Sequence, residues 1–160
     1  MIGTLPDTMT ALQYDEHGGI DTLIPKPAAD EATIRVRAAA LNGFDPMMLS
    51  GSTGLKTPFP MTPCGDFAGE IAALGDAVTG WEIGQRVNPY PILPVKGMMG
   101  DTTPGAACEY VAVPASMLIA MPDAVSYEDA AAMPVAYGTA LRMIETRGEV
   151  KAGEKLLVLG

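Results

Sequence analysis

Polar and apolar residues alternate most clearly over Ala32-Thr33-Ile34-Arg35-Val36-Arg37-Ala38, which puts Ile34 and Val36 on one face of an extended chain and Arg35 and Arg37 on the other. A period of two predicts a strand buried on one side. The continuous apolar run from Phe67 to Leu74 predicts a second strand, and Gly75, Asp76 and Gly80 signal a turn before a short strand at Gly84-Gln85-Arg86-Val87. Ala107 to Val113 continues the pattern. Near the N-terminus, Tyr14-Asp15-Glu16-His17-Gly18-Gly19 reads as a turn between two short strand-like runs, with His17 an exposed turn residue. Residues 89 to 106 are rich in proline and glycine and predict an irregular surface loop. To about residue 122 the chain is therefore mainly β, with the short strands and frequent turns of a barrel or sandwich.

From Ser126 the pattern changes. Ser126-Tyr127-Glu128-Asp129 offers a capping hydroxyl and then acidic side chains, which favour the positive end of a helix, ahead of the helix-forming run Ala130-Ala131-Ala132. Pro134 interrupts that helix, having no N–H to donate. A second helix is predicted from about Val135 to Arg147, with Gly148 as a left-handed terminator. After the turn Lys151-Ala152-Gly153-Glu154, the run Leu156-Leu157-Val158-Leu159-Gly160 predicts an apolar strand ending on glycine, as at the start of a nucleotide-binding βαβ unit. Residues 1–122 are expected to form one domain. Residues 123–160 are expected to be a helical connection and the first strand of a second, truncated domain.

Composition narrows the function classes. Of 160 residues, 48% are hydrophobic and 18% charged, which is ordinary for a folded domain and excludes disorder. No apolar run approaches the ~18 to 20 residues of a membrane span, and the N-terminus lacks a basic-then-apolar leader, so a cytoplasmic protein is expected. A formal charge of -9 without a cluster of Lys or Arg argues against nucleic acid or membrane as partner, since both are bound through basic patches. Small-molecule or protein partners remain. Cys64 and Cys108 stand singly and His17 is the single histidine, so no protein-built zinc site is expected. The 11 methionines read as flexible core filler.

A set of ordered segments carries a family resemblance. They are Ala39-Ala40-Leu41-Asn42-Gly43-Phe44-Asp45 followed by Gly51; Pro63-Cys64-Gly65-Asp66-Phe67-Ala68-Gly69-Glu70-Ile71; Leu74-Gly75 with Val78-Thr79; Gly84-Gln85-Arg86-Val87; Glu109-Tyr110-Val111; and Ala130-Ala131-Ala132-Met133-Pro134 with Gly138-Thr139-Ala140. In this order and spacing the chain resembles the medium-chain dehydrogenase/reductase superfamily, in its zinc-independent, quinone-oxidoreductase-like branch, over nearly its whole length. The resemblance implies a GroES-like β-barrel that carries the substrate cleft, with C-terminal helices leading into the first strand of a Rossmann domain for NAD(P). It implies hydride transfer from NADPH to a quinone or conjugated carbonyl in the complete protein, the 160-residue chain being inactive alone. A homodimer of the complete protein is left open.

The resemblance also assigns positions. In zinc-dependent relatives the metal is held by a Cys three residues before the Asp now at 45, a His just before the acid now at 66, and a Cys or acid four residues before the Thr now at 139. Here Asn42, Gly65 and Val135 stand there, and none is a competent zinc ligand. The lobe that carries structural cysteines in some relatives falls in residues 89 to 106, which contain none. No metal is implied, and transfer to an acceptor that is already activated needs mainly positioning. Asn42 is implied to lie beside the nicotinamide end of the cofactor, where an amide both donates and accepts, and is the candidate catalytic and cofactor-binding residue. Read from the residues alone, Asn42-Gly43 is a turn.

Thr139 is the second cofactor-side candidate, with a back-bond to its own helix as the alternative. Asp45 is expected to hold its loop through backbone N–H groups, and Asp66 to be structural. Enoyl-thioester reductases of this branch place a tyrosine proton donor two residues after the glycine matching Gly51. Thr53 stands there, and its high pKa makes it a poor general acid. Tyr90 and Tyr137 are the tyrosines that could approach the cleft. The alternative function is a free-standing GroES-like module that binds a ligand or partner without redox chemistry.

Overall fold

The computed structural model describes residues 8–9, 22–23, 25–93 and 97–159. In chain order its elements are β1 (Thr8–Met9), β2 (Thr22–Leu23), β3 (Glu31–Ala40), α1 (Phe44–Ser50), β4 (Asp66–Leu74), β5 (Arg86–Val87), β6 (Ile92–Leu93), β7 (Gly97–Met98) and β8 (Tyr110–Pro114). There follow α2 (Tyr127–Ala131) and α3 (Ala136–Leu141), which continues as a wider π-helical turn over Arg142–Arg147.

The period-two segment is the centre of the molecule. In β3, Ile34 is fully buried while Arg35 and Arg37 point to solvent. β3 lies inside an open antiparallel sheet of order β5-β4-β3-β8, where Ile34 pairs with Ile71 of β4 and Val111 of β8. The register between β3 and β4 shifts at Thr33/Ile34 and again at Val36/Ala38. Such bulges increase local twist and let an open sheet curl towards a barrel. One face holds the main core of Ile34, Phe67, Ile71, Val87 and Val113, with Met99 and Met117 below them and Trp81 packed against the cluster. Ala68, Met121, Ala130 and Ala131 form a second cluster, in which α2 packs on β3 and β4. Helix α2 begins as its sequence requires: the Ser126 hydroxyl accepts the Asp129 N–H at 3.0 Å.

Glu70 ties α2 to the sheet. Its carboxylate accepts from Arg37 Nη2 at 2.8 Å and from the Tyr127 hydroxyl at 2.7 Å, while the Arg86 guanidinium stacks 4.5 Å over the Tyr127 ring. Arg86 also donates to the carbonyls of Pro122, Asp123 and Val125, which fixes the approach to α2. The Arg37 hydrogen bond, then that of Tyr127, holds the Glu70 carboxyl below the usual carboxylate range. A carboxyl lowered on folding adds stability above its unfolded-state pKa, and that stability disappears as pH falls through its folded-state value. The Arg37 and Glu70 side chains retain 35% and 28% of their exposure, so the pair is worth only what a screened surface pair is worth. Glu70→Gln should therefore cost about 0.5 kcal/mol at neutral pH, a deficit that vanishes as the pH drops through the acid range below about 4. Urea denaturation at both pH values checks this. A deficit that persisted in acid would show that the carboxylate charge is not its source.

Several expectations are corrected. The described part of residues 89 to 106 is a surface loop only in part: Tyr90, Ile92, Thr102 and Pro104 are exposed, but Pro89, Pro91, Met99, Gly100, Gly105 and Ala106 are buried, and β6 pairs with β7 inside the segment. Proline and glycine correctly signalled irregular backbone, but its polar groups are satisfied by the neighbouring chain rather than by water. The N–H groups of Gly105 and Ala106 donate to the carbonyls of Thr62 and Cys64, each at 2.7 Å. The last helical turn ends differently too. Gly148 has φ -85° and is not left-handed; Glu149, at φ 48°, is. Gly148 N–H bonds the Met143 carbonyl at 2.7 Å, an i to i-5 closure that carries the helix one residue further before the reversal. Residues 155–159 form no strand and are exposed, since no described strand pairs with them and an extended segment needs a ladder partner.

Strand β8 starts at Tyr110, three residues after the predicted Ala107. The predicted turn with His17, Gly18 and Gly19 lies outside the described residues, although β1 and β2 on either side of it pair antiparallel. Among the described residues no helix is long and apolar enough to cross a membrane.

Candidate functional site around Asn42

Strand β3 delivers the chain to Asn42, and the short helix α1 follows one turn later. Asp45, in the first turn of α1, reaches back: its Oδ2 accepts the Asn42 N–H at 2.7 Å, while the Asp45 N–H donates to the Asn42 carbonyl at 3.0 Å. Its other oxygen accepts the Cys64 N–H at 2.9 Å. One buried carboxylate thus locks the Asn42 backbone and joins it to the segment entering β4, the loop-holding role expected of it.

The Asn42 side chain is held independently. Its Nδ2 donates to Asp66 Oδ2 at 3.1 Å, and the same oxygen accepts the Val135 N–H at 3.0 Å. Asp66 opens β4 and is 1% exposed, and its other oxygen, Oδ1, is buried with no hydrogen-bond partner among the described residues. Burial pushes the Asp66 carboxyl up; the bonds from Asn42 and Val135 pull it back, and the nearby Asp45 charge adds to the rise. The two carboxylates and Asn42 therefore join β3, β4 and the start of α3 by hydrogen bonds alone.

Cys64 sits between the carboxylates with φ 71°, a left-handed conformation that a residue with a Cβ adopts at a cost of roughly 1 to 2 kcal/mol. Burial, then the charges of Asp45 and Asp66, pushes its thiol up to about 11. Burial likewise carries Cys108 to about 12. Both thiols are protonated at neutral pH and neither is a nucleophile.

The three positions matched to zinc ligands gather around Asp66: Asn42 and Val135 bond to it, and Gly65 precedes it. A Cβ on Gly65 would lie 2.8 Å from the Met99 carbonyl, so the backbone there has no room for a side chain without rearrangement. Among the described residues no three His, Cys, Asp or Glu side chains come close enough to share a metal.

Thr139 stands one helical turn beyond Val135, and its N–H bonds the Val135 carbonyl at 3.0 Å. The side chain is exposed and its hydroxyl bonds no described residue, so the alternative of a back-bond to its own helix is not realised. With Tyr90, Pro91, Pro134, Val135 and Arg142 it lines a recess of about 270 Å³. Asn42 and Thr139 share no direct hydrogen bond; Asp66 and Val135 connect them. Tyr90 and Tyr137 line a second, larger apolar groove of about 570 Å³ beside α3. The Thr53 hydroxyl is already engaged, donating to Met48 Sδ at 3.4 Å and accepting from Leu55 N–H at 3.2 Å.

Residues 28–123 match the alcohol dehydrogenase GroES-like domain family. The chain belongs to that family. Among its described residues strands outnumber helices, in an open sheet, consistent with a GroES-like domain. Similar proteins are the 2-methylene-furan-3-one reductase of Solanum lycopersicum, 32% identical over 98% of this chain and 42% of that enzyme, and the chloroplastic NADPH-dependent alkenal/one oxidoreductase of Arabidopsis thaliana, 32% identical over 98% of this chain and 42% of its own length. Among solved structures, an NAD-dependent alcohol dehydrogenase superposes with a TM-score of 0.84 at 28% identity, over 91% of this chain and 49% of that one. The chain thus spans less than half the length of these relatives, and within the medium-chain dehydrogenase/reductase superfamily its GroES-like domain corresponds to the N-terminal part.

Sequence reasoning missed that Asp66 is the hub of the site, that the Val135 main chain takes part, and that Arg142 flanks Thr139. An acid opening an apolar run was the available signal for Asp66, because a buried carboxylate must find donors.

Proposed function

We propose that this chain is the substrate-side part of a zinc-independent, NADPH-dependent oxidoreductase that transfers hydride to a quinone or conjugated carbonyl. The observation that carries the reading is the cluster of Asn42, Gly65 and Val135 around Asp66: the positions that the family resemblance matches to zinc ligands are gathered in a hydrogen-bonded network instead. The residues present fit an uncharged nicotinamide amide. Asn42 is half-buried with its amide only partly engaged, and Thr139 offers a hydroxyl that no described residue uses. Bound NADPH would supply the hydride. The chain's own part is to orient, with Asn42 and Thr139 as uncharged hydrogen-bonding groups and the recess beside Pro134 and Val135 excluding water from one side of the acceptor. A quinone or enone carries its own activation, so positioning suffices. The net charge of -9 supports a small-molecule substrate over nucleic acid or an anionic membrane, and a cytoplasmic enzyme fits the same reading.

The test uses the complete enzyme, freed of adventitious metal by a chelator, with NADPH oxidation followed against a small quinone, an enone and a simple saturated aldehyde. Turnover is expected with the first two, little with the third, and elemental analysis should find far less than one zinc per chain. About one zinc per chain, removable only with loss of activity, would overturn the reading. Absence of turnover with every acceptor would favour a binding module without redox chemistry.

A further inference from the structure

We propose that Asp66 is a positioning residue, whose buried carboxylate fixes which way the Asn42 amide faces and so decides what Asn42 offers to a ligand. The inference rests on the reading of Asn42 given above and adds a residue to it. An ionised carboxylate only accepts hydrogen bonds, so the end of Asn42 turned towards Asp66 must be its NH₂. The flipped amide would set a carbonyl oxygen against an acceptor, and the Val135 N–H already on that oxygen keeps the acceptor in place. Asn42 Oδ1 accepts from no described residue. The amide therefore presents an acceptor together with one remaining N–H, the two-point pattern complementary to a primary carboxamide.

The two oxygens of the carboxylate are not equivalent. Asp66 is 1% exposed, yet among the described residues Oδ1 meets no hydrogen-bond donor. A buried acceptor without a partner costs free energy. The engaged oxygen is the one that meets Asn42 and the start of α3 together.

The experiment is a mutant cycle in the complete enzyme, with steady-state rates measured for NADPH and a small quinone in Asn42→Ala, Asp66→Ala, Asp66→Asn and each Asp66 variant combined with Asn42→Ala. Asp66→Ala should lower kcat about tenfold with KM for NADPH changed less than about threefold. Asp66→Asn, whose carbonyl can still accept, should fall between it and wild type, and it decides the matter should Asp66→Ala fail to fold. On the Asn42→Ala background neither should lower kcat further by more than about twofold, since the effect passes through Asn42. A folded Asp66 variant at the wild-type rate, or a loss that persists in full without Asn42, overturns the positioning role. If Asn42→Ala itself turns over at the wild-type rate, the reading of Asn42 falls and that of Asp66 with it. A slow Asn42→Ala beside fast Asp66 variants overturns Asp66 alone.

Discussion

Gly69→Ala should be among the most damaging single-methyl changes in the domain, destabilising it by about 3 kcal/mol, the upper end for overpacking, or preventing folding. A Cβ at this position would overlap the Arg35 carbonyl oxygen and lie 2.9 Å from Ile34 Cγ2. Neither neighbour can retreat. Gly69 pairs with Val36 on one side and Val87 on the other, so β4 is held between two strands there, and Ile34 is fully buried in the main core. Gly138→Ala is the matched control: it lies in α3 with nothing within 4 Å of an added Cβ, and should stabilise by up to ~1 kcal/mol through helix propensity. Denaturant midpoints of the two variants would differ in sign from wild type. A Gly69→Ala protein with an unchanged midpoint would contradict the observed pairing of β3 with β4.

Asn42→Ala should lower turnover about tenfold, equivalent to about 1.4 kcal/mol of transition-state stabilisation, with apparent NADPH affinity altered by less than about threefold. The main-chain bonds between Asn42 and Asp45 involve no side-chain atom of Asn42, so an alanine keeps the loop closed and the β3–α1 geometry intact. What is lost is the amide, and with it one of the two donors to Asp66. Some loss of stability is therefore expected alongside the kinetic effect. The split between kcat and KM is the informative readout. Unchanged turnover with a lowered melting temperature would return Asn42 to the role of a turn residue that happens to satisfy Asp66.

The parts of the fold that were legible in the sequence are those governed by local chemistry. The alternation in β3 works because side chains in an extended strand must alternate, and the Ser126 cap because its hydroxyl serves an N–H three residues away. The parts misread depend on distant partners. Gly105 and Ala106 are interior because their N–H groups meet carbonyls near residue 63, and residues 155–159 are not a strand because no described strand lies beside them. The site divides the same way. Asp45 bonds Asn42 across 3 positions, and its role was readable; Asp66 reaches Asn42 across 24 and Val135 across 69, distances at which a single sequence shows no signal. Asn42 and Thr139 themselves were reached only through family resemblance.

Trp81 is the single tryptophan of the sequence, and it packs against the main core rather than within the Asn42 network. The domain thus carries a built-in optical probe. Its emission wavelength follows the polarity around the indole, so a blue-shifted spectrum would certify an intact sheet in variants of Asn42 or Asp66 prepared as this 160-residue chain.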